Sequence, residues 1–219
     1  MSGGSVLVVA PHALDEALGC GGAIRRHADA GDTVATLILF GDGTGHDRGR
    51  RITAGKAAEL LGTSPPRFGG FPENRSDTLP LGEIVGVVES VVAEFQPATV
   101  YVSHGGNLNI DHQMAFRATA TALRPVPDLS VRLLLGYEIL SSTDWAPPGF
   151  GAPFLPTRYV DISSYLDRKL AALQIYGGEM RDPPHARTLE SVRALAARRG
   201  MTVGLPAAEA FTVLRWIET

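Results

Sequence analysis

Val6-Leu7-Val8-Val9-Ala10, followed by Pro11-His12-Ala13-Leu14-Asp15-Glu16 and then Ala17-Leu18-Gly19-Cys20-Gly21-Gly22, is the stretch whose reading decides the fold. An apolar, mostly β-branched run without polar alternation reads as a strand covered on both faces, hence central and parallel in its sheet. Pro11 ends it. The glycines at 19, 21 and 22 open a helical stretch over residues 23–30, closed by Gly31-Asp32, and residues 33–40 read as a second strand ending at Gly41-Asp42-Gly43. Strand, helix and strand in succession form the unit of a parallel sheet, with a right-handed crossover.

The same alternation continues outward. Three-to-four apolar spacing predicts helices over 52–61, 81–95, 112–123, 165–176 and 187–199, and apolar runs predict strands over 99–103, 131–140 and 209–217. Residues 145–156 carry four prolines and two glycines, the composition of a long loop. The expected architecture is α/β, a Rossmann-like, mostly parallel sheet flanked by helices, in one domain over residues 1–219. In such sheets ligands bind at the carboxyl ends of the strands.

Composition narrows the chemistry. The chain has 219 residues, 44% apolar and 20% charged, with 25 glycines and 15 prolines, which suits a globular protein with many short turns. A formal net charge of −3 with no long run of one sign gives no reason to expect nucleic acid or a membrane surface as partner. The opening Met1-Ser2-Gly3-Gly4-Ser5 has no basic leader region and the apolar run after it is too short to span a bilayer, so a cytoplasmic protein is expected. A single cysteine, Cys20, excludes an internal disulfide framework and thiolate metal clusters. Any metal must therefore sit on His, Asp or Glu.

Two strand ends carry such residues. One is His12 to Glu16; the other is His104-Gly105-Gly106-Asn107-Leu108-Asn109-Ile110-Asp111-His112. In a parallel sheet both lie on one edge, so two imidazoles and a carboxylate can converge there as a facial ligand set with open positions for water. Taken singly, Asp15, Glu16 and Asp111 are also ordinary acidic residues of a helix start.

The segment 10–22 resembles the opening of the LmbE-like, or PIG-L, family of zinc-dependent N-deacetylases, whose signature runs Pro-His-Pro-Asp-Asp-Glu before a Leu-Gly-x-Gly-Gly helix start. Phe71-Pro72-Glu73-Asn74-Arg75, Asn107 to His112, Ser141 to Trp145, Glu179-Met180-Arg181-Asp182 and Val203 to Phe211 resemble further blocks in the same order, over nearly the whole chain. The resemblance implies an LmbE-like fold, one Zn2+ held by His12, Asp15 and His112, and hydrolysis of the acyl group from an N-acylated amino sugar or related small molecule. It makes Asp111 a residue that orients a ligand or the reacting water. It also implies an arginine near the substrate, either Arg50 or Arg51.

The signature breaks where the chemistry is. The resemblance implies an aspartate general base at the position of Leu14, and leucine cannot accept a proton. Ala13 replaces a proline, and Asn107 an aspartate. General-base catalysis contributes about 10²–10⁴-fold, so the alternative is a family member inactive as a deacetylase, acting as a binding protein or in a different metal-assisted reaction. Glu16, His104 and Asp111 are the nearest candidates to replace the base. Asn107, His46, Trp145 and His185 are candidate substrate contacts, each with a plainer reading as a loop residue; for Trp145 and the proline-rich loop a contact in a homo-oligomer is a further one. A dinucleotide-binding reading fails because Gly19, Gly21 and Gly22 lack the G-x-G-x-x-G spacing. Those glycines are better explained by close packing of their helix.

Overall fold

The computed structural model describes residues 3–41 and 45–218, with the side chains of residues 45–47 outside the description. A seven-stranded sheet forms from β1 (Ser5–Ala10), β2 (Thr33–Gly41), β3 (Arg67–Pro72), β4 (Thr99–Ser103), β5 (Leu133–Tyr137), β6 (Arg158–Asp161) and β7 (Ala208–Trp216), in the order β3-β2-β1-β4-β5-β7-β6. The first five are parallel; β7 runs antiparallel to both β5 and β6. Helices α1 (Asp15–Asp29), α2 (Gly45–Leu61), α3 (Leu81–Phe95), α4 (Ile110–Ala122), α5 (Leu166–Ile175) and α6 (Leu189–Met201) cover its faces.

β1 is central, as its composition requires, and its side chains divide with period two between two cores. Val6, Val8 and Ala10 pack with Ala17, Leu18, Ala23 and Ile24 of α1. Leu7 and Val9 face the other way, onto Ile84 and Val88 of α3 and Ala115 and Ala118 of α4. The buried positions of α3 are Ile84, Val85, Val88, Val91 and Val92, and the helix stops at Gln96 in the left-handed conformation just before Pro97.

The structure departs from the expected elements in four places. α1 begins at Asp15, not among the glycines, because Asp15 and Glu16 close the turn after β1 with their own carboxylates. α2 begins at Gly45 instead of residue 52. β3 and β6 are additional edge strands, the first containing two glycines and the second four residues long. The strand expected over 131–140 is confined to Leu133–Tyr137.

Strand order reverses between β1 and β4, whose neighbours lie on opposite sides. The carboxyl ends of these two strands open a crevice at that point. The loop after β1 brings His12 to it, and the loop after β4 leads through Asn107 and Asn109 into α4, which carries Asp111 and His112.

Candidate metal centre

His12, Asp15 and His112 converge so that one ligand atom from each lies within 4.8 Å of the others. Asp15 Oδ2 is 3.3 Å from His12 Nδ1 and 3.2 Å from His112 Nε2. A tetrahedral divalent ion with bonds of about 2.0–2.1 Å separates its donors by about 3.3–3.4 Å, so the donor set fits such an ion in kind and spacing. The other nitrogen of His12, Nε2, lies 2.7 Å from Asp111 Oδ2. Asp111 is wholly buried and also accepts from the backbone N–H of Asn74 at 2.7 Å. A buried carboxylate on the remote nitrogen of a ligating histidine fixes the ring's tautomer and orientation. The helix cap that Asp111 might have supplied comes instead from Asn109, whose side chain accepts from the Asp111 N–H at 2.8 Å.

The turn 12–16 is held by its own polar groups. The backbone N–H of His12 donates to Asp15 Oδ2 at 3.0 Å, and that of Leu14 to Glu16 Oε2 at 3.0 Å. Burial alone would lower the His12 pKa, but Asp111 and Asp15 outweigh it and raise it to about 9. Burial alone would likewise raise Asp15, but His112 and His12 hold its carboxyl well below the usual range. A cation held by these donors would compete with the proton on His12.

The three donors lie at the wall of a cavity of about 470 Å³. Arg50, Glu73, Asn109, Trp145, Glu179 and Arg181 are among the side chains around it, with Leu14 beside the donors. Arg50 donates from Nη1 to Glu73 at 2.5 Å and from Nε to Glu179 at 2.9 Å. Leu14 is buried and adopts φ 101° and ψ −39°, a left-handed-side conformation unusual for leucine.

Residues 7–123 match the family model described as PIG-L, GlcNAc-PI de-N-acetylase. The chain belongs to this family. Among curated relatives, it is 25% identical over 177 residues to the uncharacterized deacetylase YaiS of Escherichia coli strain K12, covering 77% of this chain and 88% of that protein. It is 28% identical over 226 residues to the 4-oxalmesaconate hydratase of Pseudomonas putida, covering 91% of this chain and 83% of the relative. The solved N,N'-diacetylchitobiose deacetylase of Pyrococcus horikoshii superposes with a TM-score of 0.79 at 20% identity, over 96% of this chain and 84% of that one. The family and the LmbE-like fold are those of de-N-acetylase-like hydrolases.

Within this PIG-L framework the expected site residues separate. His12, Asp15, His112, Arg50 and Trp145 line the cavity; Asp111 stands behind His12. Of the two arginines, Arg50 lines the cavity, whereas Arg51 is exposed with its guanidinium 4.3 Å from the Phe68 ring centroid. His104 is elsewhere: its Nε2 lies 2.7 Å from the Ala152 carbonyl, in a neighbouring cavity of about 540 Å³ beside Glu138, Phe154 and Arg199. Asn107 is fully buried and braces the loop, donating to Thr143 Oγ1 at 3.2 Å and accepting from the Asn109 N–H at 3.2 Å. His185 packs edge-on against Trp145, with centroids 5.2 Å apart. The side chain of His46 lies outside the described residues.

Of the three groups considered as replacements for a base at Leu14, none faces the cavity freely. Glu16 is buried beneath the turn, accepting from the Tyr176 hydroxyl and the Leu14 N–H, and burial pushes its pKa up to about 7. Asp111 is committed to His12, and His104 to Ala152. The sequence assigns no individual role to Glu73, Glu179, Arg181 and Arg187, although the first three fall in segments that resemble the family and Arg187 ends Pro183-Pro184-His185-Ala186-Arg187, which resembles a Pro-His-Pro-Arg segment of it. A long-range ion pair such as Arg50 with Glu73 and Glu179 leaves no local periodicity by which to find it.

Proposed function

We propose that this chain cleaves the acyl group from an N-acylated amino sugar or related small molecule, with a zinc ion held by His12 Nδ1, Asp15 Oδ2 and His112 Nε2. The observation that carries this reading is the convergence of those three donors on a cavity of small-molecule size in a PIG-L family member. When bound, the ion supplies Lewis acidity toward the acyl carbonyl and acidifies water at the site. Asp111 keeps His12 in the tautomer that presents Nδ1 to the centre. Arg50, held rigid between Glu73 and Glu179, offers a fixed set of donors to the sugar hydroxyls, and Trp145 forms one side of the cavity. Leu14 keeps that side of the centre apolar and supplies no proton acceptor.

The test is amide hydrolysis by zinc-reconstituted protein on a panel of N-acyl amino sugars, alongside the metal content of His112→Ala. Release of the free amine, lost together with zinc in His112→Ala, supports the reading. A protein that takes up no zinc from a metal buffer refutes the ligand assignment.

Leu14 favours one second reading. With no carboxylate at the base position, and with a hydratase among the relatives, the same centre suits metal-assisted addition of water to a carbon–carbon double bond. Zinc uptake without amide hydrolysis is the outcome that selects it.

A further inference from the structure

The charged groups of the cavity are unevenly distributed. Three arginines, Arg50, Arg181 and Arg187, face three carboxylates, Asp15, Glu73 and Glu179. Asp15 belongs to the metal centre, and Glu73 and Glu179 are both spent on Arg50. Arg181, exposed, and Arg187, half-buried, both line this cavity, and neither forms an ion pair with a carboxylate among the described residues. The Arg187 Nε is buried yet has no hydrogen-bond acceptor. A buried charged donor without an acceptor is costly in a folded protein and calls for an explanation.

The loop that carries the two arginines is closed on itself. The Arg181 N–H donates to the Arg187 carbonyl at 3.0 Å, closing the intervening loop, and the Arg187 N–H donates to His185 Nδ1 at 2.9 Å. His185 in turn packs on Trp145. The planar guanidinium donor pairs of Arg181 and Arg187 match a carboxylate or phosphate in two-point contact.

We infer that Arg181 and Arg187 form an anion-recognising wall, so that the substrate carries a carboxylate or phosphate in addition to the group that reacts at the metal centre. The inference rests on the cavity being the substrate site, and it holds whether the reaction is amide hydrolysis or water addition. Charge-assisted pairing of this kind strengthens binding by about tenfold or more.

The experiment is calorimetric titration of the zinc-loaded protein with three α-glycosides of N-acetylglucosamine, the methyl, carboxymethyl and 1-phosphate forms, and with citrate as a sugar-free polyanion. The charged glycosides are expected to bind about tenfold or more tightly than the methyl glycoside. In R181A/R187A, with zinc content and Tm checked, that ratio falls to about one. The carboxymethyl and phosphate arms separate the two anion types. Binding of citrate that depends on both arginines, with no glycoside bound, keeps the anion wall and defeats the amino-sugar reading. Equal affinity for charged and neutral glycosides with no citrate binding, or an anion preference that survives in R181A/R187A, overturns the inference, the latter because the metal alone then carries it.

Discussion

Leu14 occupies a turn shaped by its neighbours. The hydrogen bonds from His12 to Asp15 and from Leu14 to Glu16 impose a positive φ that leucine adopts at a cost of about 1–3 kcal/mol. The turn is thus maintained by the geometry of the donors around it, while the side chain inside it contributes no proton chemistry. Leu14→Asp is expected to raise the rate of N-acyl amino sugar hydrolysis by about 10²-fold or more, in line with the usual contribution of a general base. An unchanged or lower rate in steady-state assays, with zinc retained, would show a cavity rebuilt for other chemistry. Asp111 is the second residue on which the centre depends. Asp111→Asn removes the charge behind His12 and should weaken zinc binding by about 10–100-fold in chelator competition. Equal affinity would mean that the His12–Asp111 contact serves folding alone.

At the scale of elements, α1 must lie very close to the sheet for Asp15 to reach both histidines. The glycines make that approach possible. A Cβ at Gly19 would stand 2.3 Å from the Tyr137 ring, and one at Gly22 2.6 Å from Ile162 Cγ2. Tyr137 cannot easily yield, since it is fully buried and its hydroxyl donates to the Val9 carbonyl at 3.0 Å. Gly19→Ala is expected to cost about 1–3 kcal/mol by overpacking, read by urea denaturation. α1 is also tied to β7 and α5 by a buried ion pair. Lys169 Nζ donates to Glu209 Oε1 at 2.6 Å and to the Leu18 carbonyl at 2.8 Å, while Glu209 accepts from the Gly22 and Ala23 N–H groups at 2.9 and 2.7 Å. Glu209→Ala leaves a buried ammonium without its counter-charge and two amides without acceptors, and should cost about 3–5 kcal/mol. Lys169→Met should cost less, because Glu209 keeps both amide donors; the reverse ranking in urea would contradict this account.

Across the whole molecule, the proposed ligands lie just beyond the ends of two neighbouring parallel strands, His12 and Asp15 after β1 and His112 after β4, with Asp15 and His112 97 residues apart in the chain. Only the folded sheet brings them together, so an ion bound there stabilises the native state alone. At a thousandfold excess over Kd the linkage is about 4 kcal/mol, and for a domain of this size it raises Tm by roughly 8–16 °C. Calorimetry of the chelator-treated and zinc-reconstituted protein measures it directly. A Tm indifferent to zinc would be incompatible with a site formed by these three residues. No helix among the described residues is long and apolar enough to cross a membrane.

The amino-acid sequence by itself determined the parallel centre of the sheet, because a strand covered on both faces must be apolar at every position, as Val6 to Ala10 are. It also placed His12, Asp15 and His112 at two strand ends, and the family resemblance marked these three as the donor set. Edge strands β3 and β6 were not legible: two glycines or a length of four residues carry no period, and these strands exist only because β2 and β7 offer them an unpaired edge. The antiparallel direction of β7 was equally silent, as alternation has no sense of direction. The tertiary structure alone decided that Arg50 and not Arg51 lines the cavity, that His104 belongs to its neighbour, and that Arg181 and Arg187 line the same cavity as Arg50. Those outcomes depend on which side of a loop or helix packs against distant parts of the chain, and local sequence does not encode that contact.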